Sequence, residues 1–123
     1  MPRALFVALA NPTSPADADA FDNWYENTHV PELLANVKSL VGGTRYRVTD
    51  VEMLPGLPKS THQYLTVYEV DAGTEAELEQ TADELRTALT SGTLNMSPAL
   101  DLGSAVAMFL LPIGERQQSH DGD

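Results

Sequence analysis

Cysteine is absent from the 123 residues, which excludes disulfides, thiolate metal sites and cysteine nucleophiles. Basic charge is scarce: 7 Lys and Arg stand against 18 Asp and Glu, a formal net charge of −11. A nucleic-acid surface needs the opposite sign, so no nucleic-acid partner is expected. An anionic membrane surface is disfavoured on the same ground. The opening MPRALFVALANP holds one apolar run, too short to span a bilayer and without a small-residue cleavage pattern behind it. It reads as a first strand, and a soluble, cytoplasmic protein with no membrane partner is expected. GxGxxG, Walker A and GxSxG patterns are missing, so dinucleotide and phosphate-cradling functions have no support. Neither HxH nor HExxH occurs. A metal site built from His29, His62 and a carboxylate is therefore disfavoured, and no metal and no cofactor are expected. Repeats, low-complexity blocks and linkers are also lacking. The length fits one domain, taken as residues 1–114, followed by a polar tail, 115–123, that contains His120.

The chain alternates strand and helix signals. Arg3–Ala10 is a short apolar run closed by Asn11-Pro12, favouring a buried strand. Pro15, Asp17 and Asp19 favour a helix start, since free N–H groups and the helix dipole attract oxygen and negative charge. That helix is expected to run to His29 and to end or kink at Pro31, which disfavours helical backbone at Val30. A short helical piece, Pro31–Val37, would follow. Leu40–Val51 alternates as a strand, with Gly42-Gly43 marking a bulge or a close backbone approach. After the Pro- and Gly-rich MLPGLPKST, His62–Val70 alternates again. Thr74 and Glu77 form a capping box, and Leu78, Ala82, Leu85 and Leu89 set the buried stripe of the next helix. Thr93–Leu102 reads as loop and Gly103–Leu111 as a fourth strand. The order β-α-β-β-α-β is that of an α+β, ferredoxin-like domain, a four-stranded antiparallel sheet with both helices on one face.

Two helices cover one face of such a sheet. Yet the first and fourth strands are apolar at odd and even positions alike, a pattern that expects cover on both faces. A bare face would leave a large apolar patch. A homodimer packed sheet to sheet is expected.

FDNWYENTHVPELL, residues 21–34, carries the densest chemistry. Phe21, Trp24, Tyr25, Thr28 and His29 share one helical face. A structural helix commonly fills such a face with Leu, Val and Ala. Here the side chains have polar tips on apolar bodies.

The combination NP…FDNWYENTHVPELL…GGTRYRV resembles the dimeric α+β-barrel superfamily, most of all the EthD-like proteins and their actinobacterial relatives. The residues that carry it are Asn11, Pro12, Phe21, Trp24, Tyr25, His29, Pro31, Arg45, Tyr46 and Arg47. The resemblance implies a pocket between the first helix and the sheet with His29 reaching into it. It does not fix a reaction, because this superfamily hosts monooxygenases, dehydratases, cyclases and isomerases as well as proteins without activity.

On this basis His29 and Tyr25 are the candidate catalytic residues. Histidine is the side chain most easily tuned for proton transfer near neutral pH. Burial would favour its neutral form and the helix C-terminus its charged form, so its charge stays open. Its plain alternative is a core histidine bonded to a carbonyl at the helix break. Tyr25, one turn earlier, would donate a hydrogen bond to a substrate oxygen. Phe21, Trp24, Arg45, Tyr46, Tyr64 and Tyr68 are the candidate substrate-binding residues. Trp24 is equally explained as core filling. Tyr64 and Tyr68 share a strand face that lines either the pocket or the dimer interface, and tyrosine enrichment at interfaces favours the latter. Arg45 and Arg47 would hold a carboxylate or enolate, unless they pair with the plentiful Asp and Glu.

The expected function is a small cofactor-independent enzyme of dehydratase, cyclase or isomerase type. Its substrate would be an apolar, aromatic or polyketide-like small molecule. The alternatives are a cofactor-free monooxygenase of the same fold and a non-catalytic dimeric binding or accessory protein.

Overall fold

The computed structural model describes residues 2–119; His120 lies outside them. Strand β1 (Ala4–Pro12) leads through a single 3-10 turn (Pro15–Asp17) into α1 (Ala18–Trp24). A π-helical turn (Tyr25–His29) continues into α2 (Val30–Asn36). Then come β2 (Leu40–Arg47), β3 (Tyr64–Val70), α3 (Glu75–Thr90) and β4 (Leu100–Leu110). The sheet order is β2-β3-β1-β4, with every neighbouring pair antiparallel. This is the expected α+β, ferredoxin-like arrangement.

Register assigns the two faces. Ala4, Phe6, Ala8 and Ala10 of β1 lie opposite Val70, Tyr68, Thr66 and Tyr64 of β3, and this set faces the helices. Three alanines in four positions leave room above β1 for rings, and Phe21, Tyr25 and Tyr64 occupy it. Phe6 continues the aromatic layer, 5.6 Å from Tyr68 and 4.8 Å from Phe109. Phe21 and Tyr68 are fully buried. The opposite face carries Leu5, Val7 and Leu9 beside Leu65 and Val67, with Val106, Met108 and Leu110 on β4. On that face Val106, Met108 and Leu110 are 41–43% exposed and Tyr46 is 52% exposed.

The helix does not end at Pro31. Proline has no N–H, and its ring collides with the carbonyl four residues back in an α-helix. Widening to i→i−5 pairing removes the collision. The Val30 N–H bonds the Tyr25 carbonyl, and helical backbone runs on to Asn36. The two glycines of β2 behave as expected. The β2–β3 register slips between Leu40 and Gly42. A Cβ on Gly43 would stand 3.0 Å from the Tyr68 ring, so the strand passes the ring only without a side chain there.

Strand ends differ from the sequence reading where side chains replace ladder partners. The Asn11 side chain accepts the Gln63 N–H (2.7 Å) and donates to the Thr61 carbonyl (2.8 Å), so β3 starts at Tyr64 rather than His62. Ser104 Oγ accepts the Asn11 N–H at 2.9 Å across a register shift, which extends β4 back to Leu100. In α3 the Thr74 cap accepts the Glu77 N–H as expected. Its buried stripe ends on Ala88, while Leu89 is 53% exposed. Ala88 shares a groove with Asn36 at the end of α2, so the stripe veers toward that helix.

Candidate functional site

The π turn sets the site. In an α-helix, residues five apart point in different directions; in i→i−5 pairing they fall one turn apart. Trp24 and His29 are therefore stacked, with ring centroids 4.5 Å apart and planes at 24°. Tyr25 meets the His29 ring edge-on at 5.1 Å and 88°. The Trp24 Nε1–H donates to the Asn95 carbonyl at 2.6 Å, which fixes the indole. Asn95 is held in turn by Glu32, whose carboxylate accepts its backbone N–H at 2.8 Å.

His29 is 7% exposed, and its Nδ1 is buried with no hydrogen-bond partner among the described residues. Burial pulls its pKa down from 6.5 to about 4, partly offset by the Glu32 carboxylate. The charge left open by the sequence is thereby assigned: at neutral pH the imidazole is neutral. Among the described residues Nδ1 has no carbonyl partner of the kind a merely structural histidine would have.

Arg45 closes the group from β2. Its guanidinium lies 4.9 Å from the Tyr25 ring centroid, with Phe21 and Tyr64 at 5.8 and 5.9 Å. Arg45 Nη2 donates to Asp22 Oδ1 at 2.8 Å, and Nη1 to the Asp22 carbonyl at 3.3 Å. The Tyr25 hydroxyl has its pKa raised by burial, while the Arg45 charge and the Thr66 side chain pull it back. The Tyr68 hydroxyl is likewise pushed up, first by burial and then by Tyr25. It too is buried with no partner among the described residues. Two unsatisfied polar atoms are thus buried on the helix side of the sheet, each at a cost of about 1–3 kcal/mol.

Phe21, Trp24, Tyr25, His29, Arg45, Tyr64 and Tyr68 all lie on the helix side of the sheet. The preference for Tyr64 and Tyr68 at a dimer interface is corrected: their strand parity is that of Thr66, under the helices. Tyr46 is separated from the group by the same alternation, lying opposite Leu65 on the other face. Arg47 shares the parity of Arg45 but is exposed at the strand end. His62 Nε2 donates to the Ser104 carbonyl at 2.8 Å, away from His29. Among the described residues no group of three His, Asp or Glu side chains could hold a metal ion.

The open pocket under the first helix is also corrected. Between α1 and the sheet lies only a crevice too narrow to admit a water molecule. It is lined by Ala8, Ala10, Phe21, Tyr25, Arg45, Tyr64, Leu65 and Thr66, and His29 does not line it. The rings and the guanidinium fill the space.

Asp22, Glu32 and Asn95 carry no site role in the sequence alone. Asp22 and Glu32 were findable as acids on the helix carrying the aromatics. Asn95 comes from a distant loop with no local signal.

No family model and no curated protein matches the chain. Among solved structures, an EthD-family protein from Bacillus halodurans is similar at 22% identity and a TM-score of 0.56. That likeness covers 94% of this chain and 99% of the other. HapK from Hahella chejuensis matches at 18% identity and a TM-score of 0.47, over 94% and 99% of the two chains. The first likeness shows an EthD-like fold over nearly the whole chain.

Proposed function

We propose that the cluster around His29 is an acid–base site for an apolar, aromatic or polyketide-like molecule that carries an acidic C–H or O–H. The observation that carries this reading is the buried, neutral His29 with an unpartnered Nδ1. A neutral imidazole is the form that accepts a proton. Transfer of a substrate proton to it leaves an imidazolium and an enolate or phenolate. In this reading the Tyr25 hydroxyl and the Arg45 guanidinium hold the developing negative oxygen; the support is that the Tyr25 ring meets both the His29 ring and the guanidinium. Returning the proton at another carbon isomerises the substrate; giving it instead to a β-hydroxyl, which leaves as water as the C–O bond breaks, dehydrates it and restores the neutral imidazole. A phenolate formed the same way is the electron-rich species that cofactor-free oxygenation needs.

The reading is tested with β-tetralone, an aromatic ketone with exchangeable protons, by following deuterium uptake from D2O. The wild-type protein is expected to catalyse exchange, and His29→Gln to lose about 100-fold or more. Equal rates in the two proteins would overturn it. A second reading, a non-catalytic binding or accessory protein, is favoured by the absence of His29 from the crevice lining. It is distinguished by β-tetralone binding without exchange.

We also propose that a second copy of the chain covers the open sheet face. The support is the apolar patch formed by Val106, Met108 and Leu110 with Leu5, Leu9, Leu65 and Val67. Among the described residues no helix is long and apolar enough to cross a membrane.

A further inference from the structure

Arg45 is more deeply placed than the acid it pairs with: its side chain is 13% exposed and that of Asp22 45%. The guanidinium is held among three rings at the wall of the closed crevice. Its bond to the Asp22 carboxylate uses one oxygen; the other N–H goes to the Asp22 backbone carbonyl. Asp22 thus takes both arms of the fork but offers it only one carboxylate oxygen, the second arm resting on the backbone carbonyl at 3.3 Å. A cation at the wall of an apolar crevice, paired from outside through one oxygen of a half-exposed acid, is the arrangement of a site occupied by its own plug.

We propose that Asp22 stands in for a ligand anion. A molecule with a flat apolar body and a carboxylate, or an enolate of the same shape, enters between α1 and the strands bearing Arg45 and Tyr64. Its two oxygens take both arms of the Arg45 fork in place of the Asp22 carboxylate and carbonyl, the Asp22 side chain swings to solvent, and the rings of Phe21, Tyr25 and Tyr64 part to admit the body. This rests on the acid–base reading of the cluster and narrows its ligands to anionic ones. Asp22 is then a specificity-determining residue, setting how strongly the anion must compete. In a chain of net charge −11 it also keeps Arg45 from standing as an unpaired buried cation when no ligand is bound.

The experiment compares benzoate with benzyl alcohol, the same ring without the charge, by calorimetry and by fluorescence of Trp24, the only tryptophan. Benzoate is expected to bind the wild-type protein at least tenfold more tightly than benzyl alcohol. Asp22→Asn keeps the shape and removes the competitor, so benzoate should tighten about threefold. Arg45→Lys keeps the charge and loses the fork, so benzoate should weaken about tenfold or more. Benzyl alcohol should change less than twofold in both. Benzoate binding no better than benzyl alcohol, or unchanged or weakened by Asp22→Asn, overturns the anion inference while benzyl alcohol binding leaves the acid–base site standing. Binding of neither probe to the wild-type protein overturns both.

Discussion

The Trp24 indole stacks on the His29 imidazole at 4.5 Å although the two lie five positions apart in the chain. Pro31 is the cause. It forces the preceding turn to widen, and the widened turn rotates His29 beneath Trp24 and into the aromatic layer. A residue usually regarded as a helix breaker here aims the side chain on which the proposed chemistry depends.

Stability should fall with acid in a window set by His29. Its pKa is lowered to about 4 in the folded protein, against 6.5 when unfolded. Below pH 6.5 the unfolded chain takes up a proton that the folded chain refuses. Each pH unit down to 4 then costs up to about 1.4 kcal/mol, and the whole window about 3 kcal/mol. Urea unfolding at pH 7.5 and pH 5 should show about 2 kcal/mol of this loss, and His29→Gln should flatten it. An unchanged slope in the variant would speak against a buried neutral imidazole.

Tyr68→Phe should not destabilise. The ring is fully buried and its hydroxyl has no partner among the described residues. Removing an unsatisfied hydroxyl is expected to raise stability by about 1 kcal/mol, read as a higher Tm. A loss of more than about 1 kcal/mol would mean the hydroxyl is satisfied in solution.

Gly43→Ala should destabilise by about 1–3 kcal/mol, because the new methyl group meets the Tyr68 ring at 3.0 Å with Val30 behind it at 3.5 Å. The double variant Gly43→Ala, Tyr68→Ala should relieve the clash, leaving a coupling energy that a double-mutant cycle measures.

Glu32 acts at two places, gripping Asn95 beneath the indole and raising the pKa of His29. Glu32→Gln should lower the His29 pKa further and shift Trp24 emission as its Asn95 anchor loosens. Emission and pKa both identical to wild type would remove Glu32 from the site.

Met108→Glu should yield monomers if a second copy covers the open face, since it places a charge within the apolar patch. Light scattering decides it; a wild-type protein already monomeric at high concentration would refute the dimer.

Alternation and apolar runs were enough to order the strands, because strand parity is a local property written at every second residue. The same parity correctly grouped Tyr64 with Thr66 and Tyr68, but it does not say which face the helices take. That depended on the three alanines of β1, which make room for the α1 rings. The inward direction of His29 was legible from its spacing to Tyr25. Its stacking on Trp24 was not, because helical periodicity assumes the α turn that Pro31 abolishes. Nor could the closed crevice be read in advance: it requires Arg45 to reach Asp22 across the sheet–helix gap, 23 residues away. The Asn95 carbonyl beneath the indole is 71 residues from Trp24, and nothing local marks it.

The most direct test is an NMR titration of the His29 ring between pH 3 and 8, with His29→Gln assigning the resonance. An inward, desolvated imidazole titrates at about 4. A midpoint near the solvent value of about 6.5 would place the ring in bulk water and contradict the inward, neutral proton acceptor on which the proposed chemistry stands.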